Sequence, residues 1–297
     1  MNDIRQLRSW LFVPGGNQNF LDKSRRADCD CLIFDLEDGV VAEQKRAARD
    51  LVAVRLREPS ARQRYFVRVN HRSSGWYEDD LAAVVVVGLS GVCLPKCASV
   101  EDVTDAARRL DGLEREHDLP RDSIRIVATI ESAVGVLAAP QIAQAHPRVA
   151  GLMLGMEDLA TDMGINSIRP GDTGRFLAAR SMMALAAAAA GVAGIDGLFT
   201  DLTDQKGLAA DIRVARGVGL TAKSAFSPRQ LDTINLAFTD DMDEVARART
   251  IVAAYESAVD RGEGAITVFG GLVDRPIADR ARQVLAKADI RRAQEAG

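Results

Sequence analysis

The stretch "VAGLMLGMED", Val149–Asp158, is apolar up to Leu154 and ends in Glu157 and Asp158. Its length suits a strand buried on both faces, and "LATDMG" after it resumes a helical spacing. Working outward, the same unit recurs. Seven further runs are "SWLFVPG" (9–15), "CLIFDLED" (31–38), "RYFVRVN" (64–70), "GVCLPK" (91–96), "IRIVATIES" (124–132), "IDGLFTDL" (195–202) and "TAKSAFSP" (221–228). Helix-like segments lie between them. "EQKRAARDLVAVRLRE" places Ala47, Leu51, Val54 and Arg55 at three- and four-residue steps. Ser99 with Asp102 three residues later resembles a capping box, and the alanine-rich "ARSMMALAAAAAGVAG" ends in glycine. Eight strands alternating with helices predict an α/β fold, a (β/α)8 TIM barrel, over residues 1–238. No Gly-x-Gly-x-x-Gly follows the first strand, which argues against a dinucleotide fold.

After Phe238 the alternation stops. A long amphipathic segment, a glycine-rich connection through Gly262, Gly264, Gly270 and Gly271, and a last helix make up 239–297. The expectation is a flexible helical extension that acts as an arm or lid, packing on a neighbouring subunit.

The 297 residues are 47% hydrophobic and 27% charged, with net charge -4 and no basic block. Disorder is excluded, and nucleic-acid binding has no concentrated positive face to rest on. No apolar run approaches a membrane span, and the first residues lack the features of a signal peptide. A cytoplasmic protein is expected, with Cys29, Cys31, Cys93 and Cys97 as buried free thiols.

In such a barrel the functional groups stand at the carboxyl ends of the strands. Asp35, Glu37 and Asp38 end the second strand, Arg68 and Asn70 the third, Lys96 the fourth and Glu131 the fifth. Glu157 and Asp158 end the sixth, Asp201 is carried by the seventh, and Ser227 and Pro228 end the eighth. Strand starts are mostly uncharged, so the asymmetry marks an active face. The ring holds no histidine, which argues against a Ser-His-Asp mechanism or a His-rich zinc site. Glu131 and Asp158 with several waters suit Mg²⁺ or Mn²⁺. Without a metal, two facing carboxylates would repel and one would keep a proton. Plainer roles stand beside these: Asp38 could open a turn with Gly39, Arg68 could pair with Glu37 or Asp38, Lys96 could neutralise the ring, and Glu157 could serve the macrodipole of the following helix.

The motifs "RSWLFVPGGN", "IFDLEDGV", "FVRVN", "LPK", "TIES..G" and "GMEDLATDMG", with the C-terminal "GGLVDRPIADRA", resemble the citrate lyase β-subunit and malyl-CoA lyase group of the HpcH/HpaI aldolase/citrate lyase family. The resemblance implies a TIM barrel using Mg²⁺ to cleave or form a carbon–carbon bond in a 3-hydroxyacyl thioester, usually of coenzyme A. It implies Glu131 and Asp158 as metal ligands and Arg68 on the substrate's carboxylate end. Asp35, Glu37, Asp38 and Glu157 would support them. Pro14, Gly15 and Lys96 resemble positions near the thioester and its carrier. Asp274 resembles the family's acid/base group, supplied to a neighbouring site within a homo-oligomer, a trimer or hexamer. The chain departs from the family in Ser227, where many members carry histidine, and in the second glycine of "PGGN".

Overall fold

The computed structural model describes residues 4–58, 60–165 and 173–295. The chain divides into two compact units, one ending at Phe238 and the other beginning at Thr239.

In the first unit eight parallel strands close on themselves in sequence order. They are β1 (Ser9–Pro14), β2 (Cys31–Asp35), β3 (Arg64–Arg68), β4 (Gly91–Leu94), β5 (Arg125–Ile130), β6 (Val149–Leu154), β7 (Ala193–Asp196) and β8 (Ala222–Ala225). The helices between and after them are α1 (Gln18–Ser24), α2 (Lys45–Leu56), α3 (Tyr77–Val84), α4 (Val100–Glu116), α5 (Ala133–Ala143), α6 (Met156–Asp162), α7 (Leu177–Ala190), α8 (Gln205–Gly217) and α9 (Leu231–Phe238). The TIM barrel read from the sequence is therefore the fold.

Alternate residues separate two cores, as the pleat requires. Trp10, Phe12, Cys31, Ile33, Phe66, Cys93, Val127, Met153, Ile195 and Ala222 fill the barrel interior. Trp10 meets Phe66 edge to face at 4.9 Å. Their neighbours in the chain, among them Leu11, Leu32, Val67, Val92, Ile126 and Leu152, face the helices. The four cysteines are buried free thiols, and burial pushes Cys29 up to about 12. The expected capping box is present, with the Ser99 N–H donating to Asp102 at 2.9 Å, and Gly191 ends α7 in the left-handed conformation.

Several expectations need correction. β7 runs from Ala193 to Asp196, so Asp201 lies in the following loop, where it accepts N–H groups of Thr203 and Asp204. Just after β7, a Cβ at Gly197 would stand 2.6 Å from the Leu154 carbonyl oxygen, so only glycine fits there. β8 likewise stops at Ala225, and Ser227 instead caps the 3-10 turn Pro228–Gln230, its hydroxyl accepting the Arg229 N–H at 3.3 Å. In α2 the buried face is Ala48, Val52 and Leu56 with Lys45, Arg49 and Arg55, while Val54 is exposed. These cations are buried because each finds partners, Arg49 on Asp80 and Arg55 on Tyr65.

The second unit holds α10 (Met242–Asp260), an antiparallel hairpin of β9 (Ala265–Val268) and β10 (Gly271–Asp274), and α11 (Arg275–Glu295). The glycine-rich connection is thus a hairpin rather than a flexible tether. Its turn places Phe269 at φ 53 and Gly270 at φ 78, the paired positive φ that a tight two-residue hairpin needs. Asp274 ends β10, and its Oδ1 accepts the Ile277 N–H at 3.2 Å as α11 begins. Tyr255, Val273 and Ala278 form the small core of this unit.

Candidate active site

At the carboxyl ends of the barrel strands lies a cavity of about 710 Å³. The inward parity that fills the core continues into its wall. Pro14 follows Trp10 and Phe12 on β1, Asp35 follows Cys31 and Ile33 on β2, and Arg68 follows Phe66 on β3. Thr129 and Glu131 follow Val127, and Gly155 follows Met153. Asp38, Glu157 and Asp158 also line it, with Phe226 and Ser227 on the far side.

Arg68 is the most heavily paired cation of the site. Its Nε and NH2 donate to Asp35 Oδ1 and Oδ2 at 2.8 and 2.7 Å, a bidentate fork. NH1 lies 3.1 Å from Glu37 Oε2 and 3.7 Å from Asp38. Burial opposes its charge, but the Asp35 hydrogen bonds and the surrounding carboxylates outweigh this and hold the guanidinium above its ordinary value. Arg68 thus meets Glu37 and Asp38, the partners foreseen for it, but its strongest partner is Asp35, which was not foreseen. Its ring-facing side rests on Phe12, 5.0 Å from the ring centroid.

Lys96 takes the left-handed conformation, φ 52, which a side chain rarely adopts. In that conformation one residue serves two carboxylates: its N–H donates to Glu131 Oε1 and its Nζ to Glu37 Oε1, both at 2.6 Å. The neutralising role foreseen for Lys96 is therefore present in the contact to Glu37. Burial raises the pKa of Glu37, with Arg68 and Lys96 pulling against it. Behind this loop Lys45 Nζ donates to the carbonyls of Leu36 and Glu37 and to Asn70 Oδ1, and Asn70 in turn donates to Asp80. Asn70 is thus a buried brace, held by Lys45, the Leu36 carbonyl and Asp80.

Glu131 is pushed up to about 8, first by burial and then by the charge of Asp158, with Glu37 adding to it. The Lys96 N–H and Arg68 pull the other way. The structure therefore brings Glu131 and Asp158 within strong mutual repulsion on one cavity wall. Gly155 makes this possible: a Cβ there would fall 2.6 Å from Glu131 Cβ and 2.5 Å from Oε2. Glu157 and Asp158 both sit in the first turn of α6, so the macrodipole role foreseen for Glu157 also fits its position. An all-oxygen pair that repels itself in a cavity, with open positions beside it, fits a hard divalent cation. Among the described residues no cluster of three or more metal-ligating side chains stands together, so substrate or water would supply the other oxygens.

Gly15 is required by close packing, since a Cβ would meet the Asp35 carbonyl at 2.8 Å, whereas at Gly16 the nearest atom is 3.5 Å away. The second glycine of "PGGN" is thus sterically free. Sequence reasoning missed Thr129, Ser224, Phe12 and Phe226, although strand parity from the core residues would have pointed each of them inward.

A closed parallel barrel with a carboxylate-lined cavity at its carboxyl face belongs to an enzyme, and the composition of this ring suits lyase chemistry on oxygen-rich substrates. A family model described as HpcH/HpaI aldolase/citrate lyase matches residues 8–228, and the chain belongs to that family. Citrate lyase subunit beta of Leuconostoc mesenteroides subsp. cremoris is 33% identical over 97% of this chain and 95% of its own. A (3S)-malyl-CoA thioesterase of Cereibacter sphaeroides is 34% identical over 95% of this chain and 94% of its own. Among solved structures, CitE from Mycobacterium tuberculosis in complex with magnesium, acetoacetate and coenzyme A is similar with a TM-score of 0.79. It is 31% identical, and the match covers 96% of this chain and 99% of that one. No helix among the described residues is long and apolar enough to cross a membrane.

Proposed function

We propose that this chain is a Mg²⁺-dependent carbon–carbon lyase that cleaves, or in reverse forms, a 3-hydroxyacyl thioester such as malyl-, citramalyl- or citryl-CoA, giving acetyl-CoA and an oxo acid. The observation that carries the reading is Glu131, pushed up by burial and by the charge of Asp158, facing one cavity with Asp158 and Arg68. Magnesium and coenzyme A in the similar CitE structure support it, as do the names of the citrate lyase and malyl-CoA relatives.

Glu131 and Asp158 would hold the cation, whose chemistry when bound is Lewis-acid polarisation of a substrate oxygen. Arg68, locked by Asp35, turns its remaining N–H groups to the substrate's carboxylate and stabilises negative charge developing beside it. Lys96 fixes Glu131 through its backbone and keeps Glu37 paired, so neither carboxylate competes for the substrate. Asp274 of a neighbouring copy, read as the acid/base group, takes the proton of the 3-hydroxyl. The alkoxide becomes the carbonyl of the oxo acid, the bond to the carbon next to the thioester breaks, and its electron pair stays there as an enolate. That carbon then takes a proton, a task assigned to Asp274 of a neighbouring copy in a homotrimer or hexamer. Phe12, Leu198 and Phe226 keep the cavity wall apolar, which limits water access to the enolate. Pro14 and Gly15 at the β1 end, with Lys96, stand as the positions beside the thioester and its carrier.

The strong identity to citrate lyase β subunits favours one second reading: the same reaction performed within a complex on an acyl-carrier thioester. The two are separated by offering purified protein a panel of CoA thioesters and following acetyl-CoA release. Turnover on CoA substrates supports the free enzyme, and turnover only with a carrier-bound substrate supports the complex. A chain that ignores thioesters but cleaves a free 4-hydroxy-2-oxo acid to pyruvate and an aldehyde would be an aldolase instead.

A further inference from the structure

Thr129 stands on β5 two residues before Glu131 and on the same inward face, about 6.6 Å deeper along the strand. It is 4% exposed and lines the floor of the 710 Å³ cavity. Its Oγ1 is buried and meets no hydrogen-bond partner among the described residues. Its carbonyl accepts the Cys97 N–H at 3.0 Å. Beside it in the sheet the paired residue is Met153, which offers no oxygen or nitrogen from its side chain. The other floor hydroxyl, Ser224, differs: its Oγ donates to the Asp196 carbonyl at 3.0 Å.

A hydroxyl kept out of water without a partner destabilises the free fold, and an apolar residue of the same shape would remove that cost. Such a group beside a binding cavity is explained if a turn about χ1 brings the hydroxyl to a partner that arrives with the ligand. We infer that Thr129 is a substrate-binding residue whose hydroxyl donates to an oxygen of the oxo-acid portion of the substrate, deep to the carboxylate pair. The inference rests on the lyase reading for which substrate enters, but not for the state of the hydroxyl in the free protein. Its chemical consequence is selectivity. The floor is walled by Phe12, Met153 and Leu198, so one polar atom at the Thr129 position is satisfied there and a purely hydrocarbon substituent leaves the hydroxyl unpaired.

The test compares Thr129→Val, which keeps the shape, with Thr129→Ser, which keeps the hydroxyl. Thermal unfolding of the metal-free proteins, kcat/KM on the thioester panel, and calorimetric binding of glyoxylate and pyruvate with Mg²⁺ are measured together. The expected result is a Thr129→Val protein with a Tm at or above wild type and a loss in kcat/KM and oxo-acid affinity on the order of 10- to 100-fold. Thr129→Ser stays within a few-fold of wild type. Unchanged kcat/KM and affinity in Thr129→Val overturn the inference, as does a lowered Tm that shows the hydroxyl already partnered inside the fold. If wild type turns over no thioester, the lyase reading fails, and the oxo-acid binding arm alone decides the role of Thr129.

Discussion

Arg68 and Asp35 are joined edge to edge, with both contacts between 2.7 and 2.8 Å and both side chains nearly buried. Asp35 also accepts the N–H of Glu37 at 2.9 Å and of Gly39 at 2.8 Å, so one carboxylate ties the loop after β2 to the end of β3. Asp35→Asn keeps the size but removes the charge facing a buried guanidinium. We predict a loss of about 3 kcal/mol in unfolding free energy, read by urea denaturation, because a buried pair is broken from one side. A kcat/KM lowered roughly 100-fold or more should accompany it. Wild-type KM and kcat in this variant would show that Arg68 needs no such anchor.

Glu131 sets a pH dependence in the metal-free protein. Its pKa in the fold is about 8, against an ordinary value of 4.5. Between these values the folded state holds a proton that the unfolded chain has lost. Stability from this group is therefore present at low pH and declines as pH rises toward 8. His71, lowered by burial, contributes the opposite slope near its own range. The difference between wild type and Glu131→Gln isolates the first effect: metal-free wild type should lose more stability than the variant between pH 6 and 8. A parallel pair of curves would contradict it. Addition of Mg²⁺ at neutral pH should also release a proton, seen as a dependence of the calorimetric heat on buffer.

Lys96 carries backbone strain at φ 52 while its exposed ammonium pairs with Glu37. Lys96→Gly and Lys96→Ala both remove the ammonium, but only glycine relieves the strain. Glycine should be the more stable of the two by about 1 kcal/mol in urea unfolding. Both keep the N–H that holds Glu131, so Mg²⁺ affinity should stay within a few-fold of wild type. Alanine equal to or more stable than glycine would refute the strain.

Gly155 has no room for a methyl group against Glu131. Gly155→Ala should displace the Glu131 carboxylate and weaken Mn²⁺ binding, followed by electron paramagnetic resonance, on the order of 10-fold or more. Retained Mn²⁺ affinity would mean that Glu131 is not positioned as the site requires.

Much of this was legible in the sequence, for reasons that are physical. Strands buried on two faces must be apolar throughout, so all eight barrel strands stand out, and Asp35, Arg68 and Glu131 follow from where those runs end. What the sequence concealed depends on long-range packing. β7 ends at Asp196, and the approach of the Leu154 carbonyl that leaves room only for glycine at 197 is announced by no local pattern. The buried face of α2 is hidden because Lys45, Arg49 and Arg55 look solvent-bound until Asn70, Asp80 and Tyr65 meet them. Arg180, Asp196, Asp211 and Lys223 are a fully buried ion network outside the barrel, and their partners are 12 to 31 residues apart in the chain. The hairpin of the second unit escaped because its turn puts a phenylalanine in the left-handed region.

The assignment of Glu131 and Asp158 as holders of the divalent cation underlies the proposed thioester cleavage. It is tested most directly by coupled acetyl-CoA release from a panel of 3-hydroxyacyl-CoA thioesters, with Mg²⁺ or with excess EDTA, for wild type and Asp158→Asn. Wild type should release acetyl-CoA from at least one malyl-type thioester, stop in EDTA and recover on adding Mg²⁺, with a rate lowered on the order of 1000-fold or more in Asp158→Asn. Release that persists in EDTA, or in Asp158→Asn at the wild-type rate, would contradict it.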